Sequence, residues 1–392
     1  MKLVMITAEY PPLTGGGVGT FAYELSSELS KLGHDVTVIT RSRFFADSVK
    51  KEREVKVYRL YSPPIPPKDI WFYAANFWKI AKIIQRVGPD VVHDAGSAIG
   101  FMPWIAKKWR VVTTIHGSPQ IGEIRAKGSF EDRLRSLAFE ITHSVPTRFL
   151  TMLMKPEIKV YVYVSRFCLI DTVARIKNPD LVEKHLVKSK VIYNGVNIDA
   201  IKKLVSDSKQ ADSNAMVFIG RLMEYKGLWP LLKAFEKVLE EVSNASLHIV
   251  GGGQLYHRIK NFIAERGLMK NVVLHGSVQR ERALKILAQS KFLVHPSFYE
   301  ALPLVVAEAY AVGKPVVVHR AGYSFEMVEE SSAGITVDVR NVEEFSKALI
   351  SLLTDESLYN CLSHNAEKVA RKRFDIKVTA QKYESLFEEL AG

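Results

Sequence analysis

Glu300 and Glu308 flank a short apolar stretch that begins Ala301, Leu302, Pro303. Residues 295–318 predict the end of a buried strand, a loop carrying Glu300, and a helix with Pro303 in its first position and Gly313 at its close. A β-branched strand follows Pro315. On that helix Glu308 lies about 7.5 Å beyond Pro303 along the axis, at about 1.5 Å per residue. The amides of Leu304 and Val305 fall in the first turn, where no helical carbonyl can accept from them. Such a terminus attracts an anion, and a carboxylate on either side of it can accept hydrogen bonds from hydroxyls. Acidic residues also gather at helix starts simply because they favour the dipole, so spacing alone leaves the structural explanation open.

Arg221 and Lys226 offer a second piece of anion chemistry. They share a loop after the predicted strand AMVFIG, with Gly220 and Gly227 beside them. A guanidinium that can fork onto two oxygens and a mobile ammonium together suit a diphosphate. Gly252 and Gly253 follow the next predicted strand and permit close approach of a ligand. In the first half, His93 and His116 each stand at the carboxyl end of an apolar run, where open α/β sheets bind ligands, although a single histidine there is more often structural. Gly15, Gly16, Gly17 and Gly19 precede a helix read from Phe21, with Leu25, Leu29 and Leu32 inward and Gly33 as its stop. As a dinucleotide fingerprint this loop fails. The third glycine would fall at Thr20, and the following strand ends in Arg41 rather than an acid.

The elements that must hold these residues alternate strand and helix along most of the chain, which predicts doubly wound parallel sheets. At 392 residues the chain suits two domains of nearly equal size. The aromatic run WFYAANFW from Trp71 predicts the start of a helix whose rings line a core or groove, and residues 206–214 read as a linker or exposed loop. Cys168 and Cys361 have no zinc-ligand spacing and read as free, buried thiols in a reducing compartment. The N-terminal apolar run is too short for a signal peptide, and no stretch is long and apolar enough to span a bilayer. A cytoplasmic protein is expected, peripheral to the inner membrane face at most.

Charge is divided unevenly. Residues 1–190 hold 29 Lys+Arg against 18 Asp+Glu, whereas the remainder is close to neutral, out of a net +12. This asymmetry points to an anionic partner for the first half, a lipid surface or lipid-linked phosphate, or else to a generally soluble basic surface. Arg41, Arg43, Lys50, Lys51 and Arg53 surround Phe44 and Phe45 in a mix that can lie on an anionic membrane, or equally form an ordinary loop with packed rings. No arginine-rich helix, zinc spacing or aromatic RNA-binding signature is present, so nucleic acid is not an expected partner.

Ser297, Glu300, Ala301, Leu302, Pro303, Leu304, Glu308, Ala309, Gly313, Pro315 and Val316 resemble the paired-glutamate motif of the retaining glycosyltransferases of family four. That family more often has glycine where Ala301 and Pro303 stand. The glycine loop with residues 33–38, the TIHG segment ending at Gly117, the Gly220-Arg221 and Lys226-Gly227 element, the YNGVN turn at 193–197 and LHGSV at 274–278 are similar to further family elements, in the family's order.

The resemblance implies a GT-B fold of class α/β, with two facing Rossmann-like doubly wound domains around an interdomain cleft. Residues 1–195 would form the acceptor-side domain and 196–374 the nucleotide-sugar-binding domain, with 375–392 a helix crossing back. It further implies transfer of a hexosyl unit from a nucleotide-diphosphate sugar to an acceptor hydroxyl, carbohydrate or lipid-linked, with retained configuration. The nucleotide sugar is then a co-substrate, with no bound cofactor. His116 would orient the sugar, Glu300 hold its hydroxyls and Glu308 bind the ribose. Arg221, Lys226, the Leu304 and Val305 amides and the Gly16/Gly17 loop would stabilise the departing diphosphate, while Gly220, Gly252 and Val278 line the donor. No Asp-x-Asp pair occurs, so no metal is expected. Three alternatives stand beside this reading: a glycoside hydrolase, a nucleotide-sugar epimerase on the same fold, and a non-catalytic nucleotide-sugar-binding subunit. They differ in whether sugar is released without a nucleotide donor, whether the donor alone is converted, and whether binding occurs without turnover. An insertion around Arg125, Lys127, Arg133 and Arg135, within residues 118–155, is expected to face the acceptor.

Overall fold

The computed structural model describes residues 1–13, 17–63, 68–96, 103–117, 158–176, 178–208, 212–320 and 322–392. The expected acceptor-facing insertion and Gly16 lie outside the described residues. Met1–Gly195 together with Ile376–Gly392 make one compact unit, and Val196–Asp375 make another.

In the first unit an eight-stranded sheet has β1 (Lys2–Ile6) and β5 (Val91–Asp94) at its middle. On one side follow β2 (Asp35–Arg41), β4 (Val55–Leu60) and β3 (Ser48–Glu52). On the other lie β6 (Val111–Ile115), β7 (Val160–Tyr163) and β8 (Ser189–Val191). Strands β5, β6 and β7 are buried along their whole length, as continuous apolar runs covered on both faces must be. All pairings are parallel except β3 with β4, a hairpin turned by Arg53 and Glu54, both at positive φ. The sequence concealed this hairpin because β3 is an edge strand whose exposed lysines, Lys50 and Lys51, break the apolar alternation and blunt the edge.

Helix α1 (Gly17–Lys31) buries Phe21, Leu25 and Leu29. Leu32, expected inward, lies past its last turn and is largely exposed, because the chain bends toward Gly33 at φ 93°. Helix α2 (Lys68–Val87) buries Phe72, Tyr73, Ile80 and Ile84 but leaves Trp71 and Trp78 outside, which corrects the core-or-groove expectation for those two rings. The final helix, Ile376–Ala391, packs Ile376, Ala380, Tyr383 and Phe387 into the same core as Phe21 and Leu25. No helix among the described residues is long and apolar enough to cross a membrane.

The second unit has six parallel strands in the order β11-β10-β9-β12-β13-β14. They are β9 (Asp212–Ile219), β10 (Ser246–Val250), β11 (Val272–Gly276), β12 (Ser290–His295), β13 (Val316–His319) and β14 (Gly334–Val337). The first of them starts at Asp212, inside the stretch expected to be linker, since its opening residues are polar and carry no strand pattern. Cys168 is buried but Cys361 is exposed on the outer face of the helix Glu356–Val369, contrary to expectation. From β9 the chain adds strands outward in one direction, and from β12 in the other. The direction of winding therefore reverses between these two neighbours, the point at which such sheets open a ligand crevice at their carboxyl ends.

Candidate active site

Register decides which loops meet. Because Val217 of β9 pairs with Leu293 of β12, the loops leaving these strands start side by side. They are then lashed together: the Phe298 amide donates to the Tyr225 carbonyl at 2.9 Å, and Ser297 Oγ donates to the same oxygen at 3.3 Å. Gly227, at φ 69°, closes the tight turn at Lys226, and a Cβ there would sit 2.1 Å from the Pro296 carbonyl oxygen. The turn thus requires glycine sterically.

This packing delivers the Lys226 ammonium onto Glu300, donating to Oε1. Oε1 lies 3.3 Å from Ser297 Oγ, an alternative acceptor for that hydroxyl's single proton, and 3.5 Å from His295 Nε2. Burial by itself would raise the Glu300 carboxyl, but the adjoining Lys226 charge and His295 outweigh it and hold the group well below the usual carboxylate range. For His295 burial and the Lys226 charge prevail over attraction to Glu300, so its imidazole is held below the ordinary value. The two side chains assigned separate tasks on the sequence, one for a diphosphate and one for sugar hydroxyls, are each other's partner here. Arg221, in the same loop, is exposed and donates to the Tyr225 hydroxyl at 3.1 Å.

Helix α4 (Leu304–Ala311) starts one residue later than expected; helix α3 (Arg280–Gln289) precedes it in the chain. Pro303 is the N-cap of α4 rather than its first residue, with an extended backbone of φ −81° and ψ 99°. Val306 is the first amide of α4 with a backbone acceptor, the Pro303 carbonyl at 3.0 Å; among the described residues none accepts from Leu304 or Val305. Glu308 Oε1 accepts from Arg280 Nε at 2.9 Å and lies 2.7 Å from Nη2 as an ion pair. Arg280 was not singled out from the sequence, since nothing in a lone arginine opening a helix announces a partner twenty-eight residues away. Two residues before it, Val278 lies half-buried between β11 and α3.

The glycines of these strand-end loops are needed by the chain itself. Gly251, at φ 144°, would place a Cβ 1.8 Å from the Gly220 carbonyl oxygen, and a Cβ on Gly252 would meet Ser277 Oγ at 2.3 Å. The Leu222 amide donates to the Gly252 carbonyl and the Gly220 amide to that of Val250, so these loops form one sheet-end layer.

In the first unit, His116 follows β6 at the carboxyl end of the sheet. Its Nδ1 lies 3.3 Å from Asn194 Nδ2, and its ring meets Phe21 edge-on at 4.9 Å. Nε2 is buried without a hydrogen-bond partner among the described residues, and burial pushes the ring down to about 4. A neutral imidazole can accept as well as donate, which suits a sugar hydroxyl. Asn194, in the YNGVN turn, is a contact that the sequence did not assign. Gly17 is the first residue of α1.

Comparison with known proteins agrees with this architecture. The family described as Glycosyltransferase Family 4 matches residues 15–200, and that described as Glycosyl transferases group 1 matches residues 200–369. An uncharacterized glycosyltransferase of Methanocaldococcus jannaschii is 27% identical over 392 aligned residues, covering 95% of this chain and 94% of the other. Sucrose-phosphate synthase from Thermosynechococcus elongatus superposes with a TM-score of 0.76 at 18% identity, covering 99% of this chain and 98% of that one. HepE of Anabaena, whose structure was solved in complex with UDP and glucose, gives 0.70 at 19% identity over 99% of each chain. With two family descriptions meeting end to end along the chain and a matching fold, this protein belongs to the family-four, group 1 glycosyltransferases, GT-B enzymes that depend on a nucleotide sugar.

Proposed function

We propose that the protein transfers a hexosyl unit from a nucleotide-diphosphate sugar to an acceptor hydroxyl with retention of configuration. One observation supports the reading: Lys226 pairs with Glu300 where the winding of the second sheet reverses, and the loop carrying Glu300 leads into α4, whose first two amides have no partner among the described residues and which carries Glu308 further along. As the glycosidic bond breaks, negative charge grows on the departing diphosphate, and preorganised donors aimed at it contribute most to the rate. Lys226, Arg221 and the Leu304 and Val305 amides supply that charge stabilisation without calling on a metal ion. Glu308 takes the ribose and Glu300 the sugar hydroxyls. Gly220, Gly252 and Val278 line the donor, and residues 196–374 act as the nucleotide-sugar domain. The family resemblance assigns His116 to the sugar and the Gly16/Gly17 loop to the diphosphate. No carboxylate is assigned as a nucleophile; attack comes from the face that the diphosphate leaves.

The experiment is a thermal-shift panel of UDP, GDP and ADP and their sugars, followed by product analysis of the donor that raises the melting temperature. Transfer with retained configuration is expected. Conversion of the donor with no acceptor would favour an epimerase, sugar release from an oligosaccharide without a nucleotide donor would favour a hydrolase, and binding without turnover would favour a non-catalytic subunit.

A second reading concerns the partner of the basic first unit: an anionic bilayer, beside which a lipid-linked acceptor would be met. Phe44, Phe45 and Trp78 are 72, 84 and 75% exposed. Lys79 bonds Asp47 at 2.6 Å and Asn76 donates to the Tyr61 carbonyl at 2.9 Å, so α2 is fastened to the loop that carries the phenylalanines. Along α2 the outer stripe runs Trp71, Trp78, Lys82, Arg86, rings first and cations after. With Arg43, Lys50 and Lys51 exposed nearby, this surface combines interfacial rings with charges that anionic head groups attract.

A further inference from the structure

We propose that His295 is the positioning partner of Glu300, taking a proton from solvent on Nε2 when the Lys226 ammonium turns from Glu300 to the diphosphate of a bound donor. The coupling to a donor rests on the reading of Lys226 given above; the coupling among the three side chains does not.

His295 is the last residue of β12 and is 2% exposed. Nδ1 is buried without a hydrogen-bond partner among the described residues, and Nε2 has only the long approach to Glu300. A buried polar group without a good hydrogen bond is destabilising, so this imidazole needs a reason to be there. Nε2 lies 3.5 Å from Glu300 Oε1, the same oxygen on which Lys226 Nζ and Ser297 Oγ converge. With Lys226 Nζ and the Ser297 hydroxyl on that oxygen, Glu300 has no need of a proton on Nε2 while Lys226 stays, and the neutral ring turns the lone pair of Nε2 toward it.

Charge counting supplies the reason. With Lys226 on Glu300, one positive charge meets one negative charge and a neutral His295 completes the cluster. A diphosphate that draws Lys226 away would leave Glu300 buried beside no cation, which is strongly destabilising. One proton on Nε2 restores the balance and turns the 3.5 Å approach into a charge-assisted hydrogen bond, so Glu300 keeps its place and its charge. The N–H bond formed on Nε2 takes its proton from solvent, which loses the matching O–H bond, and no other bond changes.

Among the described residues, Glu300 and Lys226 are the charged groups that act on His295. The turn at 224–226 presents Lys226 and the loop at 296–303 presents Glu300. Val318 of β13 stands opposite His295, and the histidine of that strand, His319, faces the Val337 carbonyl at 3.4 Å and Asp338 instead. With Lys226 in place, burial and its ammonium both keep the ring neutral, as the direction of its shift agrees.

The test uses the full chain with 13C-labelled histidine, whose 11 imidazoles can be followed individually by NMR, that of His295 being assigned by its loss in His295→Gln. In the wild type the His295 signal is expected to stay neutral between about pH 6 and 8. In Lys226→Met it is expected to titrate at least about one unit higher, a tenfold gain in proton affinity. An unmoved titration in Lys226→Met overturns the proposal. Calorimetry with whichever of UDP-glucose, GDP-mannose or ADP-glucose stabilises the chain, in buffers of different ionisation enthalpy, should show proton uptake at pH 7 in the wild type and none in His295→Gln. Equal uptake in both, or none in either, also overturns it. Failure of every nucleotide sugar to bind would count against the donor assignment of Lys226, while the ring titration still decides whether the three side chains are coupled. Melting curves of His295→Gln and His295→Asn identify a variant that stays folded for the comparison.

Discussion

The Lys226 ammonium and the Glu300 carboxylate are each other's partner across 74 residues of chain, and both side chains are largely buried. Lys226→Met leaves the carboxylate without its cation and should lower stability by about 3 kcal/mol, at the low end for a buried pair because Glu300 keeps 17% of its side chain exposed. The double variant Lys226→Met/Glu300→Gln should regain more than half of that loss. Chemical denaturation of the four proteins forms the cycle, and strictly additive losses would mean that the pair is not coupled. Transfer activity should fall in all three variants by at least about 100-fold, as expected when a group stabilising the reacting charge is removed.

Among the described residues Arg280 meets Glu308 at Oε1, and under the proposed function Oε2 takes a ligand hydroxyl. Arg280→Met should therefore raise the donor KM by about 5- to 30-fold, on the order of 1–2 kcal/mol for a charged hydrogen bond, with little change in kcat. Steady-state kinetics at saturating acceptor separates the two. A fall in kcat at unchanged KM would assign Arg280 to the reacting centre instead.

If the exposed rings of the first unit meet a bilayer, the protein should co-sediment with vesicles containing phosphatidylglycerol and not with pure phosphatidylcholine. Binding should weaken as salt screens the basic residues. Replacing Phe44, Phe45 and Trp78 together by serine should reduce binding about tenfold, from the loss of buried apolar area, without lowering the melting temperature, since all three rings lie outside the core. Undiminished binding by this variant would remove the surface from consideration.

His93 should make the first unit acid-sensitive. Burial, with the neighbouring His116 adding to it, pushes its ring down to about 3. As pH falls below the ordinary histidine value of about 6.5, the unfolded chain takes up a proton that the folded chain refuses, so stability drops from there and keeps dropping toward pH 3. At pH 5 this single residue accounts for about 2 kcal/mol relative to pH 7.5. His93→Phe should show an acid loss smaller by that amount in denaturation measured at the two pH values. Its fold should persist, because Thr114, which bonds His93 at 2.7 Å, also bonds the Tyr383 hydroxyl at 2.8 Å.

Much of the second unit was legible in the chain because most strands there contain a short apolar run and most of the longer helices have an apolar face. The hairpin of β3 and β4 was not, since an edge strand carries its charges on the positions that would otherwise reveal alternation. Leu32, Trp71, Trp78 and Cys361 were misjudged for one shared reason: residue type sets a preference for burial, whereas the helix end or the outer face on which a residue falls decides it. Arg280, His295 and Asn194 escaped notice because each matters through a partner distant in sequence.

By itself the sequence determined the strand-helix alternation and the presence of two cations, two glutamates and a helix start that could serve an anion. These are local properties, written in periodicity and in the backbone preferences of glycine and proline. Only the tertiary structure decided that Lys226 and Glu300 are partners, that His295 backs them, and that Gly251 and Gly252 are glycines first for the packing of their own loops. Such facts depend on which strands lie side by side, and parallel neighbours are chosen by the burial of whole elements rather than by any short stretch of chain.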